Sequence, residues 1–175
     1  MYNYGFIKVA SATPKIKIAN PSYNILEIEK IVREAEAKNT ILISFPELSL
    51  TGYTCADLFL QNNLIVSSHD ALNTLLEKTK NLPIIINIGM PITIGDKLYN
   101  CGVVIFKGDI LGIVPKMFLP NYKEFYEQRW FTSGNEISNQ INKVRFLNKE
   151  IPFGKLVFEV KDLDFKFALE ICEDL

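Results

Sequence analysis

Histidine is nearly absent from this chain of 175 residues, and cysteine is scarce. The single imidazole is His69, and the cysteines are Cys55, Cys101 and Cys172, with no Cys-X-X-Cys pair. A Ser-His-Asp triad, a Cys-His dyad or a zinc site would each have to use His69. That residue lies in SSHDALNTLL, at what looks like an early position of a helix, and we expect it to be a solvated surface residue. Any cysteine chemistry must therefore find its base in a carboxylate or an amine, and we expect no metal site.

Net charge and long apolar runs are also lacking. The 19 basic and 20 acidic residues give a net charge of -1, which argues against a nucleic-acid partner. No apolar run approaches the roughly 20 residues that cross a bilayer, and MYNYGFIKVASA does not have the pattern of a signal peptide. An odd number of irregularly spaced cysteines favours reduced thiols over a disulfide framework. We therefore expect a cytoplasmic protein without a membrane anchor.

The apolar pattern predicts one α/β domain over residues 1–175, with 48% hydrophobic residues to fill its core. Asn20 and Pro21 open a predicted helix to about Lys38, and a second runs from about Leu64 to Lys80. The predicted strands cover 4–12, 40–45, 82–90, 97–106, 110–116, 143–147, 156–160 and 165–171. The order β-α-β-α-β-β-β, with hairpin-like connections after Leu82, indicates a mixed sheet covered by helices.

Three reactive residues each follow a predicted strand: Glu47, Lys116 and Cys172. Each has an ordinary interpretation, as a glutamate that caps a helix, a lysine that reaches solvent, or a small apolar residue at a strand end. Cys172, however, is in step with Lys166 and Glu170 and lies off the apolar face of its strand. Functional sites of α/β sheets collect at the carboxyl ends of strands. The three residues together therefore predict a site more strongly than any one of them does.

The chemistry of such a trio is coherent. A thiolate is a nucleophile, and a nearby ammonium lowers the pKa of a thiol. Glu47, held partly out of water at a strand end, could take the thiol proton and return it to a leaving amine. The ammonium of Lys116 could stabilise the oxyanion of a tetrahedral intermediate. The predicted site attacks a carbonyl carbon bonded to nitrogen, without metal or histidine.

Three stretches that contain these residues, FPELSLTGY, VPKMFLP and LEICEDL, resemble the motifs of the nitrilase (carbon–nitrogen hydrolase) superfamily. The resemblance reaches from the first strand to Leu175. The longer stretches FPELSLTGYTCADLF, PKMFLPNYKEFYEQRWF and EICEDL are similar to the glutaminase domain of glutamine-dependent NAD synthetases. Generic amidases of the superfamily tend to carry a histidine in KxHLP and an aromatic residue after the cysteine. Here Phe118 and Glu173 occupy those positions.

This resemblance implies a four-layer αββα sandwich and hydrolysis of the glutamine side-chain amide to glutamate and ammonia. It implies that Cys172 is the nucleophile that forms a thioester, Glu47 the general base and acid, and Lys116 the oxyanion-stabilising cation. Glu127 aligns with an additional glutamate that orients the lysine and the substrate, with Glu124 as the second choice. The substrate-binding or supporting residues that follow from the resemblance are Glu127, Tyr53, Tyr122 and Glu173.

The resemblance also implies partners and limits. The glutaminase reaction needs no cofactor, and ATP and magnesium belong to a synthetase domain whose SGGxDS loop is not found in these 175 residues. The expected partners are glutamine, that synthetase domain as the receiver of ammonia, and further copies of the full-length chain. Because the family domain continues beyond the cysteine, we expect this chain to be an N-terminal portion that is inactive and prone to aggregate alone. The alternatives are a generic aliphatic amidase or carbamoylase and a catalytically inactive nitrilase-like assembly subunit.

Overall fold

The computed structural model describes residues 5–137 and 143–175, and its centre is a mixed five-stranded sheet. The sheet strands, in spatial as well as chain order, are β1 (Val9–Ser11), β2 (Leu42–Ser44), β3 (Ile85–Ile94), β4 (Lys97–Phe106) and β5 (Asp109–Pro115). β1, β2 and β3 run parallel, and β4 and β5 are antiparallel to their neighbours. Two separate hairpins follow, formed by β6 (Lys143–Phe146) with β7 (Lys149–Pro152) and by β8 (Val157–Val160) with β9 (Phe165–Ala168). The predicted mixed α/β architecture is confirmed.

Two helices, α1 (Pro21–Ala37) and α2 (Asn62–Thr79), pack against each other and against the sheet. The predicted start of α1 is confirmed, because the Asn20 side chain accepts a hydrogen bond from the Tyr23 N–H at 3.0 Å and Pro21 occupies the first turn. The buried stripes of both helices join one face of the sheet in the main core. Its members include Ile28, Val32, Leu72, Leu75, Ile43, Ile86 and Ile88.

The opposite face of the sheet is covered in part by the hairpin β8–β9. Ile85, Val104 and Val114 project to this side and form a second buried cluster with Phe158. Phe167 of β9 packs against that cluster and stacks on Phe158 with ring centroids 5.1 Å apart. The described residues thus show one helical layer and one large sheet, with the hairpin lying over the far side. None of the described helices is long and apolar enough to cross a membrane.

Several strands differ in length from the sequence prediction. β1 covers Val9–Ser11 instead of 4–12, and position 4 lies outside the described residues. β9 ends at Ala168 rather than at residue 171, because its partner β8 begins at Val157, which pairs with Ala168. β7 was not predicted at all. It follows a two-residue turn at Leu147 and Asn148, both with positive φ, which is the geometry of a tight hairpin.

The prediction that His69 is a solvated surface residue is wrong. His69 lies within α2, and its ring meets Phe146 edge-on with centroids 5.0 Å apart. Its Nε2 atom is buried without a hydrogen-bond partner among the described residues. Burial lowers the pKa of His69, against a smaller opposing effect of the Asp70 carboxylate.

We therefore expect the stability of the fold to decrease as pH falls through about 6.5, the ordinary histidine pKa. The lowered pKa in the folded state means that the unfolded chain binds the proton first, so protonation favours unfolding. His69→Phe removes the titrating group and should flatten this part of the profile. The check is the free energy of unfolding in urea between about pH 7.5 and 5.5 for both proteins. Equal slopes for the two proteins would show that His69 does not carry the effect.

Candidate active site

Glu47 is held by a tight turn that lies directly on β3. Leu48, the next residue, has a left-handed φ of 50°, and the Phe45 and Leu50 N–H groups donate to the carbonyls of Asn87 and Gly89 at 3.0 Å. A Cβ at position 89 would lie 2.6 Å from the Pro46 carbonyl oxygen and 2.9 Å from the carbonyl carbon of Glu47. Only glycine permits this approach, so Gly89 helps to determine where Glu47 lies.

Lys116 lies at the end of β5, and its side chain is fully buried. Its backbone N–H donates to the Asn100 carbonyl at 2.8 Å, which continues the pairing of β5 with β4. Its ammonium donates to Glu47 Oε1 and to Glu127 Oε1, each at 2.7 Å. The side chains of Glu47 and Glu127 are 18% and 1% exposed. The structure therefore places a buried cation between two carboxylates from separate loops.

The electrostatics of this cluster keep the lysine charged. Burial by itself lowers the pKa of Lys116, but the hydrogen bonds and charges of Glu127 and Glu47 outweigh it and raise the pKa. Burial raises the pKa of Glu127, although Lys116 and Tyr53 pull in the opposite direction. Burial and the Glu127 hydrogen bond also raise the pKa of Tyr53 above its ordinary value. Tyr53 therefore remains a neutral phenol whose hydroxyl donates a hydrogen bond to Glu127.

Glu127 is the more deeply buried of the two carboxylates that bind Lys116. It lies in a short 3₁₀ turn, Glu127–Arg129, and its Oε1 accepts hydrogen bonds from Tyr53 at 2.7 Å and from Lys116. Its Oε2 atom is buried without a partner among the described residues. Glu124, the second choice from the sequence, is exposed to solvent. Of the two glutamates on this loop, Glu127 is the one beside the lysine.

Cys172 follows β9 on a 3₁₀ turn, Cys172–Asp174, and has a left-handed φ of 54°. Its thiol is exposed and shares a cleft of about 120 Å³ with Glu47 and Gly102. A Cβ at Gly102 would lie 2.9 Å from Leu169 Cδ1, so the segment before Cys172 packs closely on β4. By contrast Cys55 and Cys101 are buried, and burial raises the pKa of both thiols. Cys172 is thus the accessible thiol of the three.

Asp174 joins the cysteine turn to the lysine strand, and the sequence analysis missed it. Its Oδ1 accepts the N–H groups of Met117 and Phe118, both at 2.9 Å, and its Oδ2 accepts the Ile171 N–H at 3.2 Å. Three backbone donors on one carboxylate fix the segment after Lys116 against the turn that carries Cys172. The acidic residues that follow the cysteine could have indicated a cap, but not its partners.

Asn100 is the second residue that the sequence analysis missed. It lies inside β4, is 1% exposed, and donates from Nδ2 to Glu47 Oε1 at 2.6 Å. The available signal was a polar residue within the otherwise apolar segment KLYNCGVVIF.

The remaining predicted residues lie at the surface beside the cysteine turn. The Tyr122 hydroxyl donates to the Glu173 carboxylate, and this hydrogen bond raises the pKa of the exposed Tyr122. A larger cavity of about 590 Å³ lies elsewhere, between Phe106, Leu111 and Leu163. In residues 5–137 and 143–175 no cluster of histidine, cysteine or acidic side chains is arranged to hold a metal ion.

An accessible thiol, a carboxylate and a buried lysine around the end of a mixed sheet define a class of enzymes that attack carbon–nitrogen bonds with cysteine. The family model described as carbon-nitrogen hydrolase matches residues 8–175. The chain belongs to the carbon–nitrogen hydrolase family, and the predicted nitrilase-like fold is confirmed.

The similarities within this family point to one kind of protein, glutamine-dependent NAD(+) synthetase. The chain is 35% identical to that synthetase of Mycobacterium tuberculosis over 99% of its own length and 26% of the relative's length. It is 42% identical to the Aquifex aeolicus synthetase over 85% of the chain and 22% of the relative. A crystal structure of a glutamine-dependent NAD(+) synthetase from Cytophaga hutchinsonii superimposes with a TM-score of 0.86 at 29% identity, over 97% of this chain and 28% of that one. The chain thus spans about a quarter of the length of these relatives.

Proposed function

We propose that this chain is the glutamine-hydrolysing part of a glutamine-dependent NAD synthetase. The observation that carries the proposal is the placement of the exposed Cys172 thiol in one cleft with Glu47, which is itself bound to the buried Lys116. The similarity to NAD synthetases over 99% of the chain supports glutamine as the substrate.

In the proposed reaction, Cys172 Sγ attacks the side-chain amide carbon of glutamine while Glu47 accepts the thiol proton. The oxygen of the tetrahedral intermediate becomes negative, and an ammonium stabilises it. Lys116 uses two of its three N–H donors on Glu47 and Glu127, which leaves one for this oxygen. Glu47 then returns the proton to the leaving nitrogen, so that ammonia departs and a thioester remains. Water, deprotonated by Glu47, attacks the thioester and releases glutamate and the Cys172 thiol.

The surface beside the cysteine suits the distal end of glutamine. The Glu173 carboxylate offers a partner for the α-ammonium group of the substrate, and the Tyr122 hydroxyl holds that carboxylate in place. Tyr53 supports the site from within, because it binds the carboxylate of Glu127. We assign Tyr122 and Glu173 to substrate binding, and Tyr53 and Glu127 to the support of Lys116.

The ammonia would be consumed by a synthetase domain that uses ATP and magnesium to amidate deamido-NAD, in a full-length protein that forms homo-oligomers. In this proposal the glutaminase reaction uses Cys172, Glu47 and Lys116 as its reacting groups and needs no cofactor. The cysteines are free thiols in the described part of the chain, which supports a reducing compartment such as the cytoplasm.

The test is a comparison of amide substrates with the purified full-length protein. We expect kcat/KM for glutamine to exceed that for propionamide and for an N-carbamoyl amino acid by about 10²-fold or more, because a site built for polar groups rejects substrates that lack them. Ammonia release measures all three reactions. A preference for the simple amide or the carbamoyl substrate would overturn the proposal. As a matched variant, Tyr122→Phe should raise KM for glutamine and leave propionamide hydrolysis unchanged.

A further inference from the structure

Two donors converge on one oxygen of Glu47. Asn100 Nδ2 donates to Oε1 at 2.6 Å, and Lys116 Nζ donates to the same atom at 2.7 Å. Because a carboxylate has two oxygens, this arrangement leaves Oε2 without either donor. Glu47 is also the member of the cluster that keeps some exposure, at 18% of its side chain, and it lines the cleft that contains Cys172.

We propose that Asn100 is a positioning residue for Glu47, which holds Oε1 on the lysine side and so leaves Oε2 to exchange the proton with Cys172. This inference rests on the proposed function, since it concerns the base of the same reaction. The carboxylate would otherwise be free to rotate and to offer both oxygens to Lys116. An oxygen engaged by the ammonium is a poorer proton acceptor, so the fixed orientation favours the transfer.

The unsatisfied part of the Asn100 amide supports a functional role. Its Oδ1 is buried and has no hydrogen-bond partner in the described residues. A buried polar atom without a partner destabilises the fold, and an apolar side chain of similar size would avoid that cost. An amide at this position is therefore best explained by its donor, which reaches Glu47.

The main chain of Asn100 serves the same cluster. Its carbonyl accepts the Lys116 N–H at 2.8 Å, while its side chain binds Glu47. One residue of β4 thereby holds both the lysine and the carboxylate, which come from positions 69 residues apart in sequence. The position of the base relative to the cation is thus fixed from a rigid strand rather than from a loop.

The experiment compares Asn100→Leu and Asn100→Asp with the wild-type full-length protein. Both variants keep the approximate size of the side chain but lose the N–H donor. We expect kcat for glutamine to fall about tenfold or more with little change in KM, because Asn100 is buried behind Glu47 and is not among the residues that line the cleft. The acid limb of the pH profile should move to higher pH in Asn100→Leu, which loses the donor to Glu47, and further in Asn100→Asp, which also places a second carboxylate beside Glu47.

The groups around Glu47 that also titrate or carry charge are Lys116, Glu127, Tyr53, Cys172 and Glu170. All of them are unchanged in these variants, so a shifted limb reports the altered environment of Glu47. The pH dependence of alkylation by iodoacetamide gives a second measurement, which needs no glutamine. Alkylation reports Cys172, because Cys55 and Cys101 are buried. The acid limb of alkylation should move in the same direction.

Asn24→Leu is the matched control, since Asn24 is also a fully buried asparagine but binds Lys17 and the Leu50 carbonyl instead. It should lower the melting temperature without moving the acid limb of either the glutaminase or the alkylation profile.

The inference is overturned if Asn100→Leu loses stability as Asn24→Leu does but leaves both acid limbs where they are in the wild type. Asn100 would then be a structural residue. If Asn100→Leu does not fold, Asn100→Ser, which is too short to reach Glu47, decides by the same readout. Failure of the wild type to hydrolyse glutamine would sink the proposed function, while the alkylation profiles would still decide the role of Asn100.

Discussion

Replacing Cys172 with alanine is expected to lower kcat/KM for glutamine hydrolysis by about 10⁴-fold or more, which in practice abolishes it. The thiol is the covalent nucleophile in the proposed mechanism, and loss of a nucleophile removes almost all of the catalysis that the other groups assist. Because Cys172 is exposed on a turn, its truncation creates no buried cavity. The melting temperature should therefore stay close to that of the wild type while glutamate release is lost.

Cys55→Ala is the matched control for this variant. Cys55 is buried, and its Sγ donates to the carbonyls of Thr51 and Gly52 at 3.2 and 3.3 Å. Its replacement should reduce stability but retain glutamine hydrolysis at low temperature, which is the opposite of the Cys172 result. In the proposed full-length synthetase, synthesis of NAD from added ammonia should survive in Cys172→Ala, because added ammonia replaces the ammonia that the thiol reaction would release. Loss of ammonia-dependent synthesis in this variant would show that Cys172 has a structural role instead.

The sequence predicted the trio Glu47, Lys116 and Cys172 because each follows an apolar segment. Such a segment can be recognised as a strand from its own residues, without knowledge of its partners. Strands that end at one edge of a sheet bring such residues together, whatever the details of their loops. The resemblance to the nitrilase superfamily then added Glu127, which the structure places beside Lys116. Neither argument required knowledge of side-chain contacts.

Asn100 and Asp174 were missed for a physical reason. Asn100 donates a hydrogen bond to Glu47, 53 positions earlier in the sequence, and Asp174 accepts from backbone N–H groups 57 and 56 positions away. Hydrogen bonds of this kind depend on the register of strands, which cannot be read from the hydrophobic periodicity of the sequence or from the strand propensity of its residues. His69 was misassigned for the same reason, since β6 supplies the aromatic ring that buries it.

Strand ends were the least predictable feature of the fold. The third strand was predicted to stop at residue 90, yet β3 continues through Pro91 to Ile94. The pairing of β3 with β2 ends at Asn87. Beyond that point no β2 residue requires an N–H donor from β3, so proline is tolerated at position 91. The extension depends on the pairing of β3 with β4, which is a tertiary property.

Lys116→Met is expected to have a large effect on stability as well as on activity. The substitution keeps the apolar stem but removes a fully buried charge from between Glu47 and Glu127, so two carboxylates are left facing each other. Breaking a buried ion pair by removal of one partner typically costs about 3–5 kcal/mol. We expect a loss of that order in the free energy of unfolding in urea, together with a fall in kcat of about 10²-fold or more as the oxyanion loses its cation.

A second substitution separates these two effects. Glu127→Gln in the Lys116→Met background removes one of the two stranded charges, so much of the lost stability should return while kcat stays low. Glu47→Gln alone should lower kcat by about 10²–10⁴-fold, since it cannot accept a proton, but it leaves Lys116 paired with Glu127 and should therefore cost less stability than Lys116→Met. Urea unfolding and glutaminase kinetics on the four proteins form the measurement. Recovery of kcat along with stability in the double variant would mean that Lys116 only balances the charge of its neighbours and does not act on the oxyanion.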